Sequence, residues 1–252
     1  MNTSPGVPIL TRKVAVVAAL IIGLAAVATT LVVNQQDVSA ADSGKSNKFT
    51  TVGSGDLPTS KPKLNAVRDS LSADETGYAI HLASTDSSIP AGATDVLGKA
   101  GPEFLYADLP EGDFDATARK AVVVLYDYTS NTAYNQVVDL TAGKVLKSTT
   151  ADGLQPPTST TEADVAVQLA INATETLPFK AEFEAAQGVP LISPKQVDYV
   201  AGAWVFDGTT ATGKECGEDR CAQLMLSTGS GAYLGTVDFV VNLTTQSIVA
   251  IK

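Results

Sequence analysis

Histidine and cysteine are nearly absent from this chain. Its 252 residues include one histidine, His81, and two cysteines, Cys216 and Cys221. Two sulfurs supply only half of a tetrahedral zinc site, and no second Cys/His pair completes it. The four residues GEDR separate the cysteines, so the C-x-x-C redox spacing is missing as well. There is no G-x-S-x-G elbow to place a serine nucleophile beside His81, which reads as a packed or surface residue. Phosphate-binding glycine patterns are absent too. Gly229-Ser230-Gly231 and Gly235 have the wrong spacing for either fingerprint and read as a hairpin turn.

Positive charge is also scarce. The chain carries 17 basic and 27 acidic residues, for a formal net charge of −10. Such a body lacks the basic footprint that nucleic acid requires, so no nucleic-acid partner is expected. The run ADLPEGDFD gathers Asp108, Glu111, Asp113 and Asp115, but without the Asp-x-Asp-x-Asp-Gly core of a calcium loop. It reads as a solvated acidic loop. No metal, cofactor or catalytic residue is expected, and the sequence names no small-molecule ligand.

What is present begins with residues 14–33, VAVVAALIIGLAAVATTLVV, a run of twenty without a charge. At about 1.5 Å per residue it would cover the roughly 30 Å hydrocarbon core of a bilayer. Arg12 and Lys13 precede the run, and Asp37 and Asp42 follow it. That asymmetry keeps residues 1–13 in the cytoplasm and puts the body outside, as a single-pass membrane protein. Length favours a retained anchor over a cleaved signal. The alternative is a secreted protein cut after Ala40, since Val38-Ser39-Ala40 has the small residues of a cleavage site. In either case Cys216 and Cys221 face an oxidising compartment, where a disulfide stapling a loop tip is the expected outcome.

Residues 34–62 are rich in Ser, Thr, Gly and Pro and read as a flexible linker. Two α+β domains are expected after it, at 63–152 and 153–252. In the first, LNAVRDSLSA suggests a short helix, and TGYAIHLAS alternates like a strand. A loop-like stretch over 85–117 follows, then strands at AVVVLYDY and NQVVDL, with turns at Ser130-Asn131 and Ala142-Gly143. The boundary run DGLQPPTSTTE places Ser159 three residues before Glu162, the spacing of a capping box. A helical stripe at Val165, Ala166 and Leu169 comes next, then a helix FKAEFEAAQG closed by Gly188. Strands resume at VDYVAGAWVF, CAQLML, YLGTVDFVVNL and SIVAIK. Trp204, among apolar neighbours, is expected in the core.

The two halves share a pattern. VVDLTAGKV at 137–145 matches VVNLTTQSI at 240–248, an offset of 103, and each block follows a tyrosine, Tyr134 or Tyr233. An offset close to a domain length points to duplication of a unit in which helix packs on antiparallel sheet.

VVVLYDYTSNTAYNQVVDLTAGKVLKSTTADGLQPPTSTTEAD resembles the small N-terminal domains of copper amine oxidases, in which a similar hairpin leads to a QP turn and an acidic helix start. The similarity continues through AAQGVPLISPKQVDYVAGAW to VDFVVNLTTQSIVAIK and covers about residues 64–252. It implies two cystatin-like α+β domains, the second and third of that family. The family's chemistry belongs to a large C-terminal domain with three copper-binding histidines and a tyrosine that becomes a quinone. One histidine is present here and none of the seven tyrosines follows an asparagine, so no catalytic residue carries over. The cystatin inhibitory tip, Gln-x-Val-x-Gly, is not matched either. Gln136-Val137-Val138-Asp139-Leu140 lacks the glycine and reads as mid-strand.

The function expected is therefore non-catalytic. The chain reads as an anchored, extracytoplasmic binding or scaffold protein, an accessory subunit of a membrane or envelope complex, such as an electron-transfer assembly. Its partners would be other membrane or envelope proteins. Two alternatives are a partner chain for a separate amine oxidase catalytic polypeptide and a secreted binding module.

Overall fold

A computed structural model describes residues 57–112, 117–174 and 177–251. The described residues fall within one compact unit, Asn47–Lys252. Three helices are described: α1 (Ala73–Ser84), α2 (Thr160–Asn172) and α3 (Pro178–Gln187). The strands are β1 (Glu103–Asp108), β2 (Lys120–Asp127), β3 (Thr132–Asp139), β4 (Lys144–Asp152), β5 (Val197–Trp204), β6 (Cys221–Thr228), β7 (Tyr233–Leu234), β8 (Phe239–Asn242) and β9 (Ser247–Ala250). Sheet 1 has the order β1-β2-β3-β4. Sheet 2 has the order β5-β6-β8-β9, with β7 also paired to β6. Every pairing is antiparallel.

The transmembrane helix that opened the expected fold is corrected. The described chain is an α+β fold of two antiparallel sheets and three helices, and no helix among the described residues is long and apolar enough to cross a membrane. The longest, α2, has 13 residues and rises only about 20 Å, against the roughly 30 Å of a hydrocarbon core. Residues 14–33, where the span was expected, lie outside the described residues, as do the cleavage site at Ala40 and the linker through residue 56.

Three local readings change in the first half. TGYAIHLAS is not a strand but part of α1, whose core-facing residues include Glu75, Ala79 and Ala83, spaced four apart. The small alanines let the helix lie close to the sheet, a signal that the alternation of Tyr78, Ile80 and Leu82 conceals. LNAVRDSLSA forms no helix of its own: residues 64–72 lie ahead of α1, which begins at Ala73, and the carbonyls of Ala66 and Asp69 turn inward to Arg119. The stretch 85–117 contains β1.

The second half follows its sequence more closely. Ser159 and Glu162 form the capping box at the start of α2. Its core face is Glu162, Ala166, Val167, Ala170 and Ile171, so Ala166 points inward while Val165 and Leu169 flank the core. Helix α3 ends at Gly188, whose φ of 71° is the left-handed conformation glycine adopts freely. YLGTVDFVVNL divides into β7 and β8.

The repeat is visible in three dimensions. VVDLTAGKV and VVNLTTQSI form the β3–β4 and β8–β9 hairpins. Asp139 accepts from Ala142 N and Asn242 from Thr245 N, both at 2.9 Å. One residue further on, Gly143 and Gln246 both take positive φ, 68° and 52°. Glycine is required at the first of these. A Cβ at Gly143 would come within 2.7 Å of the Tyr78 hydroxyl on α1.

Candidate functional site: a buried polar junction

Each half buries an arginine against the capping glutamate of its own helix. Arg119, just before β2, donates from Nε to Glu75 Oε1 at 2.9 Å and from Nη2 to Oε2 at 3.1 Å. Its remaining donors go to the carbonyls of Ala66, Val67, Asp69 and Ser70, which explains the inward turn of that segment. Arg220, just before β6, repeats the pattern on Glu162, with both bonds at 2.7 Å. Its other donors go to the carbonyls of Pro156 and Pro157. The backbones match as well. Arg119 O accepts from Leu140 N and Arg220 O from Leu243 N, while Thr141 and Thr244 hydroxyls accept from the two arginine N–H groups. A planar guanidinium with five donors fits one carboxylate plus several carbonyls, which lysine could not do.

The second clamp lies where the two halves meet. Tyr128 donates its hydroxyl to Glu162 Oε1 at 2.6 Å, and the Arg220 guanidinium sits 5.1 Å from the ring centroid of Tyr126. Ser159, the cap of α2, accepts from Glu162 N and donates to Glu103 Oε1 on β1 at 2.7 Å. Further ties across the junction run from Thr244 Oγ1 to Asn131 Oδ1 and from Gln246 Nε2 to Val96 O.

The charges in this junction do not balance. Glu103 and Glu162 are both fully buried, and among the described residues the ion pair of Arg220 is with Glu162. Burial, then the charge of Glu162, then Asp95 push the Glu103 carboxyl up to about 8, against the bond from Ser159. Glu103 is therefore held protonated at neutral pH. Burial and the Glu162 carboxylate also raise the Tyr128 phenol well above its usual range. For Glu75, burial pushes upward, but the bonds from Arg119, Ser72 N and Asn65 N together hold its carboxyl below the usual value. These groups hold a proton and lock two elements together, and they lie under the surface.

A groove of about 240 Å³ opens beside the junction. The Leu154–Pro157 segment forms one wall, and Tyr106, Val124 and Ala133 on the outer face of sheet 1 form the other.

Cys216 and Cys221 form the disulfide, with Cα atoms 5.5 Å apart. It packs with Val240, Val249, Trp204 and Ile251 over one end of the outer face of sheet 2. Trp204 is thus half-buried against the staple, outside the main core. His81 sits near the end of α1, where its carbonyl accepts from Thr85. Gln136 lies in mid-β3, and Gly229–Gly231 make the turn into β7. Asp108 ends β1 and Glu111 is exposed, while Asp113 and Asp115 lie outside the described residues.

Sequence reasoning missed Glu75, Glu103, Arg119, Tyr128 and Arg220. The signal for the clamps was present: RKAVVVL at 119–125 and RCAQLML at 220–226 share R-x-A-x-x-x-L at an offset of 101, and S-x-x-E occurs at both 72–75 and 159–162.

No protein-family model matches the chain, and no curated protein matches it. Among solved structures, a copper-containing benzylamine oxidase from Hansenula polymorpha is similar, with a TM-score of 0.41 and 12% identity. The match covers 75% of this chain and 30% of that enzyme, a partial likeness of fold.

Proposed function

We propose that this protein is a non-catalytic, extracytoplasmic binding or scaffold subunit of a larger envelope assembly. The observation that carries the reading is a group of large apolar side chains in water on one face of sheet 2: Val200, Met225 and Tyr233 share that face by register and are 55, 53 and 75% exposed. Exposed apolar residues gathered on one face mark interaction surfaces, whereas scattered ones do not. The disulfide supports a location outside the cytoplasm. The buried ionisable groups support a structural role for the interior, since Glu75, Glu162, Arg119 and Arg220 are engaged in clamps.

The test is purification of the C-terminally tagged full chain from envelope fractions after mild cross-linking, with the mass and composition of the product determined. One or a few partners at fixed stoichiometry are expected. Recovery of the chain alone at its own mass would contradict the reading.

A further inference from the structure

We infer that the outer face of sheet 2, at Val200 and Met225, docks an extended, proline-bearing apolar segment of a partner protein whose flanks are basic. The inference rests on the binding reading above and specifies its surface and its partner's chemistry.

The two halves bury equivalent faces unequally. On the outer face of sheet 1, Tyr106 on β1 pairs with Val124 on β2. Val124 is 3% exposed, and Leu154, Pro156 and Pro157 line the groove it shares with Tyr106. The 101-residue offset that carries Arg119 onto Arg220 also carries Val124 onto Met225. Met225 on β6 pairs with Val200 on β5, just as Val124 pairs with Tyr106. This second pair lies half in water. The disulfide loop covers only the other end of the face, at Trp204 and Cys221. Tyr233 extends the open end from β7, opposite Ser227. Gln223 fixes the 236–239 segment through the carbonyls of Thr236 and Phe239, which holds Val237 next to β6.

On sheet 1 the uncharged segment Leu154-Gln155-Pro156-Pro157 borders the equivalent face across the groove, and its prolines bring no N–H that would need a partner on a sheet surface. Charge decides between an external segment and a second copy. Asp198 shares the face with Val200, and Asp238 is exposed beside Val237. A second copy would bring the same carboxylates and the same net charge of −10, which opposes self-association. Basic residues flanking the apolar segment would instead complement them.

The test uses the full chain and a fluorescent peptide with the order Leu-Gln-Pro-Pro-Thr flanked by lysines. Saturable binding is expected, weakened about tenfold by Met225→Lys or Val200→Lys and by exchanging the peptide's lysines for glutamates. Val200→Thr, which keeps a β-branched residue in the strand, should weaken binding to a smaller degree; circular dichroism checks that each variant is folded. Absence of saturable binding, or binding indifferent to these changes, overturns the inference. A concentration-dependent dimer abolished by Met225→Lys would put a second copy on this face and also overturn it. If the peptide does not bind but the full chain still purifies in a stoichiometric assembly, the inference fails and the binding reading stands.

Discussion

Arg220 grips Glu162 through two parallel bonds of 2.7 Å, and the carboxylate it grips also caps the helix that starts the second half. One ion pair therefore fixes a helix end, the strand that follows the arginine and the proline turn whose carbonyls take the remaining donors. Arg119 and Glu75 do the same in the first half.

Breaking either clamp on one side leaves a buried charge without its partner. Arg220→Met should cost on the order of 3–5 kcal/mol in denaturant unfolding. The double variant Arg220→Met with Glu162→Gln should recover part of that loss, because the second change removes the stranded carboxylate. Additive losses in this cycle would show that the pair does not act as a unit.

Glu103 makes stability depend on pH in an unusual direction. Unfolded, it releases its proton near 4.5; folded, it keeps the proton to about 8. Between those values the folded chain binds more protons than the unfolded one, so this contribution is full below about 4.5, falls as pH rises and is gone above about 8. The total is on the order of a few kcal/mol. Glu103→Gln should flatten that decline in urea titrations across the window. An identical slope in the variant would exclude Glu103 as the source.

Reduction of the disulfide should have a modest effect. A loop this short gains about 2 kcal/mol from cross-linking on the chain-entropy estimate. Cys216→Ser with Cys221→Ser should lower stability by about that amount and expose Trp204, which can be followed by its fluorescence. In the native protein, alkylation under denaturing conditions should label neither cysteine until a reductant is added.

The junction tyrosines should resist alkali. Burial and the Glu162 carboxylate hold Tyr128 protonated well above 10, and Tyr126 is raised to about 12, chiefly by burial. Phenolate absorbance should therefore show at least two phenols that ionise only as the protein unfolds. Tyr128→Phe should remove one of them and cost about 1–2 kcal/mol through the lost bond to Glu162.

The hairpin repeat, the capping box at Ser159, helix α3 with its glycine stop, and most strands were legible because each is specified within a few residues. The α1 helix is hidden in the sequence because its buried face mixes Gly77, Ala79 and Ala83 with Glu75, Tyr78 and Ile80, so the large apolar residues taken alone alternate like a strand. The junction was invisible for a different reason. Glu103, Tyr128, Ser159 and Arg220 come together only when two sheets dock, and nothing near Glu103 in the sequence marks it as buried. The open pair Val200–Met225 was read only as strand, since exposure of a strand face depends on what covers it.

The most direct test that the outer face of sheet 2 binds a partner is oxidative footprinting of Met225, comparing the isolated chain with the cross-linked native assembly. Met225 is expected to oxidise rapidly in the isolated chain and to be strongly protected in the assembly, with Tyr233 protected alongside it. Equal oxidation in both states would show that this face is not where the protein binds.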